Sequence, residues 1–199
     1  MSEEKINLAP FGIAGMVAVF VFAITVVIAI CSDPTWVFGE NTFGDIEYSN
    51  SDSRLVAAVG FVISAALMLI TGTGIALKSK GAGFWCGVFI VLGMICTVAN
   101  VFKILDMGSP EQIALHIIIN VFLLAAVIAG AVADYQKGRT INTAVAAFTI
   151  GVSLILLGAS TIETADVVGR IMFVVWLAFE CVTIALIPEK VYKDEAESC

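Results

Sequence analysis

Six continuous apolar runs, each about as long as a bilayer is thick, constrain this chain more than any motif in it. A hydrocarbon core of about 30 Å needs roughly 20 apolar residues in a helix. The runs cover about 11–31, 55–77, 82–102, 113–133, 141–160 and 167–187. None alternates with the period of two that a barrel strand needs. Each is bounded by polar residues and reads as a helix, which satisfies its own backbone groups in lipid. Pro10 suits the first turn of the first helix, and Pro188 the end of the last. The expected fold class is all-α, a polytopic integral membrane protein. Residues 1–188 would form one bundle of six transmembrane helices, and 189–199 a polar tail.

Composition excludes the main alternatives. Strongly apolar residues make up 60 % of the 199, and charged residues 14 %. A soluble domain has about 45–50 % apolar residues with glycine included and about 25 % charged. A soluble enzyme, a disordered chain and a basic nucleic-acid binder are therefore excluded, and no nucleic acid is expected as a partner. The net charge of −7 belongs to loops and tails. Cys31, Cys86, Cys96, Cys181 and Cys199 show no C-x-x-C spacing, so neither a disulfide framework nor a zinc site is read from them. The first run is not expected to be a signal peptide. Its leader, Ser2-Glu3-Glu4-Lys5, is not positive, and the run exceeds an h-region. Ile30 also stands where a lipoprotein cleavage site before Cys31 wants a small residue.

Basic residues set the expected orientation. With the N-terminus inside, the inner side holds Lys5, Lys78, Lys80, Lys137, Arg139, Lys190 and Lys193, against Arg54, Lys103 and Arg170 outside. The two inner loops are short, where the positive-inside rule works best. Both termini are expected in the cytoplasm and the bundle in the plasma membrane. The outer side then carries a long loop, 32–53, rich in acids and in Trp36, Phe38, Phe43 and Tyr48. An aromatic loop of this kind is expected to fold back over the helix ends. The other outer loops are expected at Lys103–Gln112 and Thr161–Asp166.

Ionisable groups inside membrane helices are costly, roughly 2.5–3.5 kcal/mol at the centre on insertion scales, and they mark function more than other positions. Glu180 is the acid deepest in an expected span. It lies about 15 Å along the helix from Arg170, too far for a pair within the helix. It must be protonated, bonded to another helix or beside a polar cavity. His116 and Asn120 share a face of the fourth helix at i and i+4. Asn100, Lys103 and Arg170 lie at similar depth, so the five could meet in a polar pocket under the long loop. The plainer alternative has Lys103 and Arg170 snorkelling to headgroups while the amides bond neighbouring helices. Gly83 and Gly87 make a G-x-x-x-G step, a weak sign of close helix approach.

What is missing narrows the chemistry. A single histidine excludes a bis-histidine haem and a three-histidine zinc site within one chain. No G-x-S-x-G elbow, Walker loop or EF-hand pattern occurs. No cofactor and no metal are expected.

Three segments resemble one family. Trp36-Val37-Phe38-Gly39-Glu40-Asn41-Thr42-Phe43-Gly44-Asp45-Ile46 is similar to a first outer loop of the form W-x-x-x-x-N-x-L-S-D-L. That loop belongs to six-helix archaeal and bacterial membrane proteins of unknown function, themselves distantly similar to the Frag/DRAM/Sfk membrane proteins. Ser109-Pro110-Glu111 followed by His116 resembles that family's fourth-helix entry. Phe179-Glu180 followed by Pro188 resembles its last-helix segment G-L-x-E-R. Gly44 stands for its Ser and Cys181 for its Arg. The resemblance implies six helices and singles out Trp36, Asn41, Asp45, His116 and Glu180.

The leading expectation is a non-enzymatic protein binding a lipid headgroup or small amphiphile in an outward-facing pocket. Arg170 and Lys103 would meet an anionic group, and His116 and Asn120 would orient it, with Trp36 and Asp45 in the lid. Asn41, Asn100 and Glu180 complete the expected ligand-binding residues. One alternative is an enzyme acting on a lipid or isoprenoid, with His116 as base and Asp45 or Glu180 as its partner. Another is a scaffold or assembly subunit with a membrane-protein partner or a second copy of itself. A transporter ranks last, because it needs a continuous polar path that the inner half of the spans does not suggest.

Overall fold

The apolar runs do form helices. The computed structural model describes residues 8–41, 43, 53–102 and 110–186. Six helices among these are long and apolar enough to cross a membrane. They are α1 (Ala9–Ser32), α2 (Ser53–Lys78), α3 (Ala82–Val101), α4 (Pro110–Gln136), α5 (Thr140–Ala159) and α6 (Ile162–Leu186). The tail 189–199 lies outside the described residues.

Two expected loops are shortened by helices that run into them. α6 begins at Ile162, so Asp166 lies in its first turns and not in a connection. α4 begins at Pro110 and runs on to Gln136, which takes Asp134 into the helix as well. Hydropathy ends a span at the first charge. These helices continue because their charged residues find partners within the bundle, as shown below.

The surface is apolar where a soluble protein would be polar. Phe20, Leu55, Phe148 and Ile155 are each about two-thirds exposed. An apolar exterior of this kind suits lipid better than water. Small residues let the helices pack closely, as they do where lipid leaves no hydrophobic drive between helices. A Cβ on Gly12 would meet the Cys181 carbonyl and the Ala185 nitrogen at 2.8 Å, so α1 lies against the α6 backbone. Gly60 receives Thr25, and Gly74 receives Phe11, which seats α1 antiparallel on α2. Gly87 lies against the backbone of Gly72 and Ala76, whereas Gly83 faces Ser79. Gly87 therefore carries the α2–α3 contact with Gly72, and the Gly83–Gly87 step is not a paired interface. Gly81 and Gly138 turn the chain between α2 and α3 and between α4 and α5 with positive φ.

The segment after α1 folds back on the helix ends. The Asp33 carboxylate accepts bonds from the Thr35 amide at 3.0 Å and hydroxyl at 2.6 Å. Trp36 stacks on Phe43, which is buried between Phe22 of α1 and Phe61 of α2. The Asn41 side chain accepts the Val37 amide at 2.8 Å and closes a small turn. The Thr161 hydroxyl donates to the Gly39 carbonyl, tying this turn to the α5–α6 connection.

α4 and α6 are not sequence neighbours, yet they run parallel. Asn120 bonds Asp166, Gly130 receives Trp176, and Asp134 lies beside Glu180. Each pair is 46 residues apart in sequence, as for Asn120 and Asp166. α5 covers this pair and is the least buried of the six.

Candidate functional site

Two polar clusters form on the α4–α6 pair, one at each end. The first lies near the 33–43 segment. Arg170 and Asp166 are i, i+4 on α6, so their side chains meet. Arg170 Nε and Nη2 donate to Asp166 Oδ1 at 3.0 and 2.9 Å. Asn120 Nδ2 donates to the same oxygen at 2.8 Å. Arg170 Nη2 also lies 3.0 Å from His116 Nδ1. Asp166, Arg170 and His116 are all buried.

Arginine only donates, so in the Arg170–His116 contact Nδ1 accepts, which leaves Nε2 as the donor. Asp166 Oδ1 lies 3.7 Å from Nδ1, beyond a hydrogen bond. In this arrangement the nitrogen left over is a donor, and His116 does not present a free basic atom. The positive charge of Arg170 is balanced by Asp166.

A cleft of about 300 Å³ lies against this cluster, between α4, α5 and α6. His116, Asn120 and Asp166 line its polar part. Leu123, Leu124, Val127, Leu156 and Phe173 make apolar walls, with Thr149 and Ser153 of α5 among them. Ile117, Val121 and Leu157 also line it and are about half exposed or more, so the cleft opens on the side of the bundle. Two buried oxygens among its lining residues, Asp166 Oδ2 and Thr149 Oγ1, make no hydrogen bond among the described residues.

Comparison with protein-family models, curated proteins and solved structures finds no match to this chain. The site is therefore read from its own chemistry.

The second cluster lies at the opposite end. Asp134 Oδ1 pairs with Arg139 Nη1 at 3.3 Å. Glu180 Oε1 accepts from Asn142 Nδ2 at 3.2 Å, and the same amide reaches Thr183 Oγ1 at 2.9 Å. Asp134, Asn142 and Glu180 are buried. A small cavity of about 30 Å³, lined also by Ser79, Lys137 and Arg139, adjoins the two acids. Asp134 Oδ2 is a further buried oxygen without a partner among the described residues.

The expected site residues therefore divide. His116, Asn120 and Arg170 come together. Trp36 and Asn41 belong to the aromatic turn over α1 and α2. Asn100 is buried on α3 and does not line the cleft. Glu180 lies in the other cluster, bonded to another helix and beside a cavity, two of the three states open to it. Asp45 and Lys103 lie outside the described residues. Asp166, Asp134, Asn142 and Thr149 were not singled out by sequence reasoning. The i, i+4 spacing of Asp166 and Arg170 was the available signal for the first. Asn142, Thr149, Ser153 and Ser160 share one stripe of α5, which was the signal for Asn142 and Thr149.

Proposed function

We propose that the protein binds a single-chain amphiphile with an uncharged, hydrogen-bonding head in the cleft between α4, α5 and α6. One observation carries this reading: an apolar, side-opening cleft has a buried carboxylate oxygen without a partner in its polar part. A hydroxyl or amide N–H on the ligand would satisfy Asp166 Oδ2, and His116 Nε2–H would donate to a ligand oxygen. Buried acceptors of this kind are rarely left unmet. Among the described residues the Asp166–Arg170 pair leaves no free cation there, so an uncharged head fits better than an anionic one. In this reading Arg170 holds Asp166 and His116 in place and does not touch the ligand.

The reading includes a multi-pass protein of the plasma membrane with both termini in the cytoplasm, so that the cleft lies in the outer leaflet. Membrane lipids are its proposed source of ligand. The His116–base chemistry is less well supported, because Arg170 occupies the basic nitrogen.

Native mass spectrometry of the detergent-purified protein tests the proposal. The wild type should carry a discrete bound mass of lipid or lipid-fragment size. Ser153→Trp, which fills the cleft from the least buried helix, should lose it, and Asp166→Asn should weaken it. The same mass retained in Ser153→Trp would place the ligand elsewhere and sink the assignment.

A further inference from the structure

Four helix threonines satisfy their hydroxyls within the helix. Thr71, Thr97, Thr143 and Thr183 each donate to the carbonyl four residues back, a common bond for this side chain. Thr149 does not. Its Oγ1 is buried without a hydrogen bond among the described residues, and the residue lines the cleft. Native proteins keep few such atoms, because an unmet buried group is costly.

Thr149 also marks the closed end of the cleft. The lining residues farthest from Asp166 are Val127 on α4, Thr149 on α5 and Phe173 on α6. Past them Trp176 is fully buried, and its ring stands where a Cβ on Gly130 would be. The cleft is thereby walled off from the smaller cavity. α5 runs antiparallel to α6, with Asn142 bonded to Glu180 and Thr183. Seven residues further along α5, Thr149 is level with 173–176. That level is seven to ten residues from Asp166, about 10–15 Å at 1.5 Å per residue.

Between the two unmet oxygens the walls are mostly apolar, with Leu123, Leu124, Leu156 and Phe173 among them. Ser153, one turn from Thr149, is only partly buried. The cleft thus runs polar, apolar, polar, with a buried oxygen lacking a partner at each end. A chain polar at one end only would satisfy Asp166 Oδ2 and leave Thr149 Oγ1 against methylenes.

Resting on the amphiphile reading of the cleft, we infer that its ligand is polar at both ends: an uncharged chain whose second hydroxyl or carbonyl meets Thr149. A threonine hydroxyl both donates and accepts, so either group suits it. An extended chain covers about 1.1–1.2 Å per bond, as in a backbone of 3.3–3.6 Å per three-bond residue. The two polar groups are then roughly nine to thirteen bonds apart. A lipid with an unsubstituted tail lacks the second group; a chain oxygenated at or near its far end supplies it.

The test is binding of four probes to the purified full chain in detergent: 1,10-decanediol, 1-decanol, 1,6-hexanediol and 1-hexanol. The oxygens of the decanediol have the required spacing, and those of the hexanediol fall short. Taking the affinity ratio of diol to alcohol at each length cancels the contribution of the chain. In the wild type this ratio should be about fivefold to tenfold higher at ten carbons than at six, the effect of one buried hydrogen bond made at one length and missed at the other. Thr149→Val should remove that advantage and change the affinity for 1-decanol by less than about twofold. Ser153→Ala should keep the advantage. Equal ratios at the two lengths overturn the inference and leave the cleft reading in place. So does an advantage that survives Thr149→Val or disappears in Ser153→Ala. A wild type that binds neither ten-carbon probe sinks the cleft reading itself, and this inference with it. Should Thr149→Val fail to fold, the two wild-type ratios still decide.

Discussion

Arg170 cannot shed its charge and has no acceptor of its own. Buried on α6, it depends on Asp166. Removing one partner of a buried ion pair leaves the other uncompensated, at about 3–5 kcal/mol. Asp166→Ala should therefore destabilise the bundle by about that amount, read as a lower midpoint in detergent unfolding. Asp166→Asn keeps an oxygen for Arg170 and should cost clearly less. Equal losses would mean that the carboxylate charge, and not the hydrogen-bonding oxygen, is what holds Arg170. Gly130 makes the complementary case. Its missing side chain is the space that Trp176 occupies, so Gly130→Ala should cost about 1–3 kcal/mol through overpacking. Adding Trp176→Leu should recover part of that loss in the same unfolding measurement. No recovery would mean that the two residues do not share the space.

At the scale of the element, the legible part of the sequence was its hydropathy. Runs of about 20 apolar residues can satisfy their backbone in lipid only as helices, so six helices and their order could be read directly. Their ends could not. Asp166 and Asp134 read as loop because a charge in a span is costly until its partner is known. Those partners, Asn120 and Arg139, lie on or next to other helices. His116 and Asn120 could be placed together by their i, i+4 spacing. Their meeting with Asp166 and Arg170 depends on helix rotation, which hydropathy does not encode. Glu180 was conspicuous by its depth, but Asn142 was just another polar residue near a helix start.

At the scale of the molecule, the basic residues and the helix arrangement make a joint statement about sidedness. Cys31 is exposed at the end of α1 that carries the aromatic turn, and Ser79 lies at the opposite end, in the connection from α2 to α3. With the termini inside, a membrane-impermeant maleimide should label Cys31 in intact cells. An added Ser79→Cys should react only after the membrane is opened. The reverse pattern would invert the bundle and put the cleft in the inner leaflet.

The parallel register of α4 and α6 has a consequence for synthesis. Helices that pair as hairpins can settle as soon as the second emerges. Asn120 and Asp134 cannot meet Asp166 and Glu180 until α5 has crossed back and α6 has followed. During that interval Asp134 has Arg139 beside it, but the amide and imidazole of α4 stand unmatched in the nascent bundle and need water or the insertion machinery as temporary company. The last helix is thus the closing piece of the assembly, and quality control that samples unfinished chains would find its signal on α4.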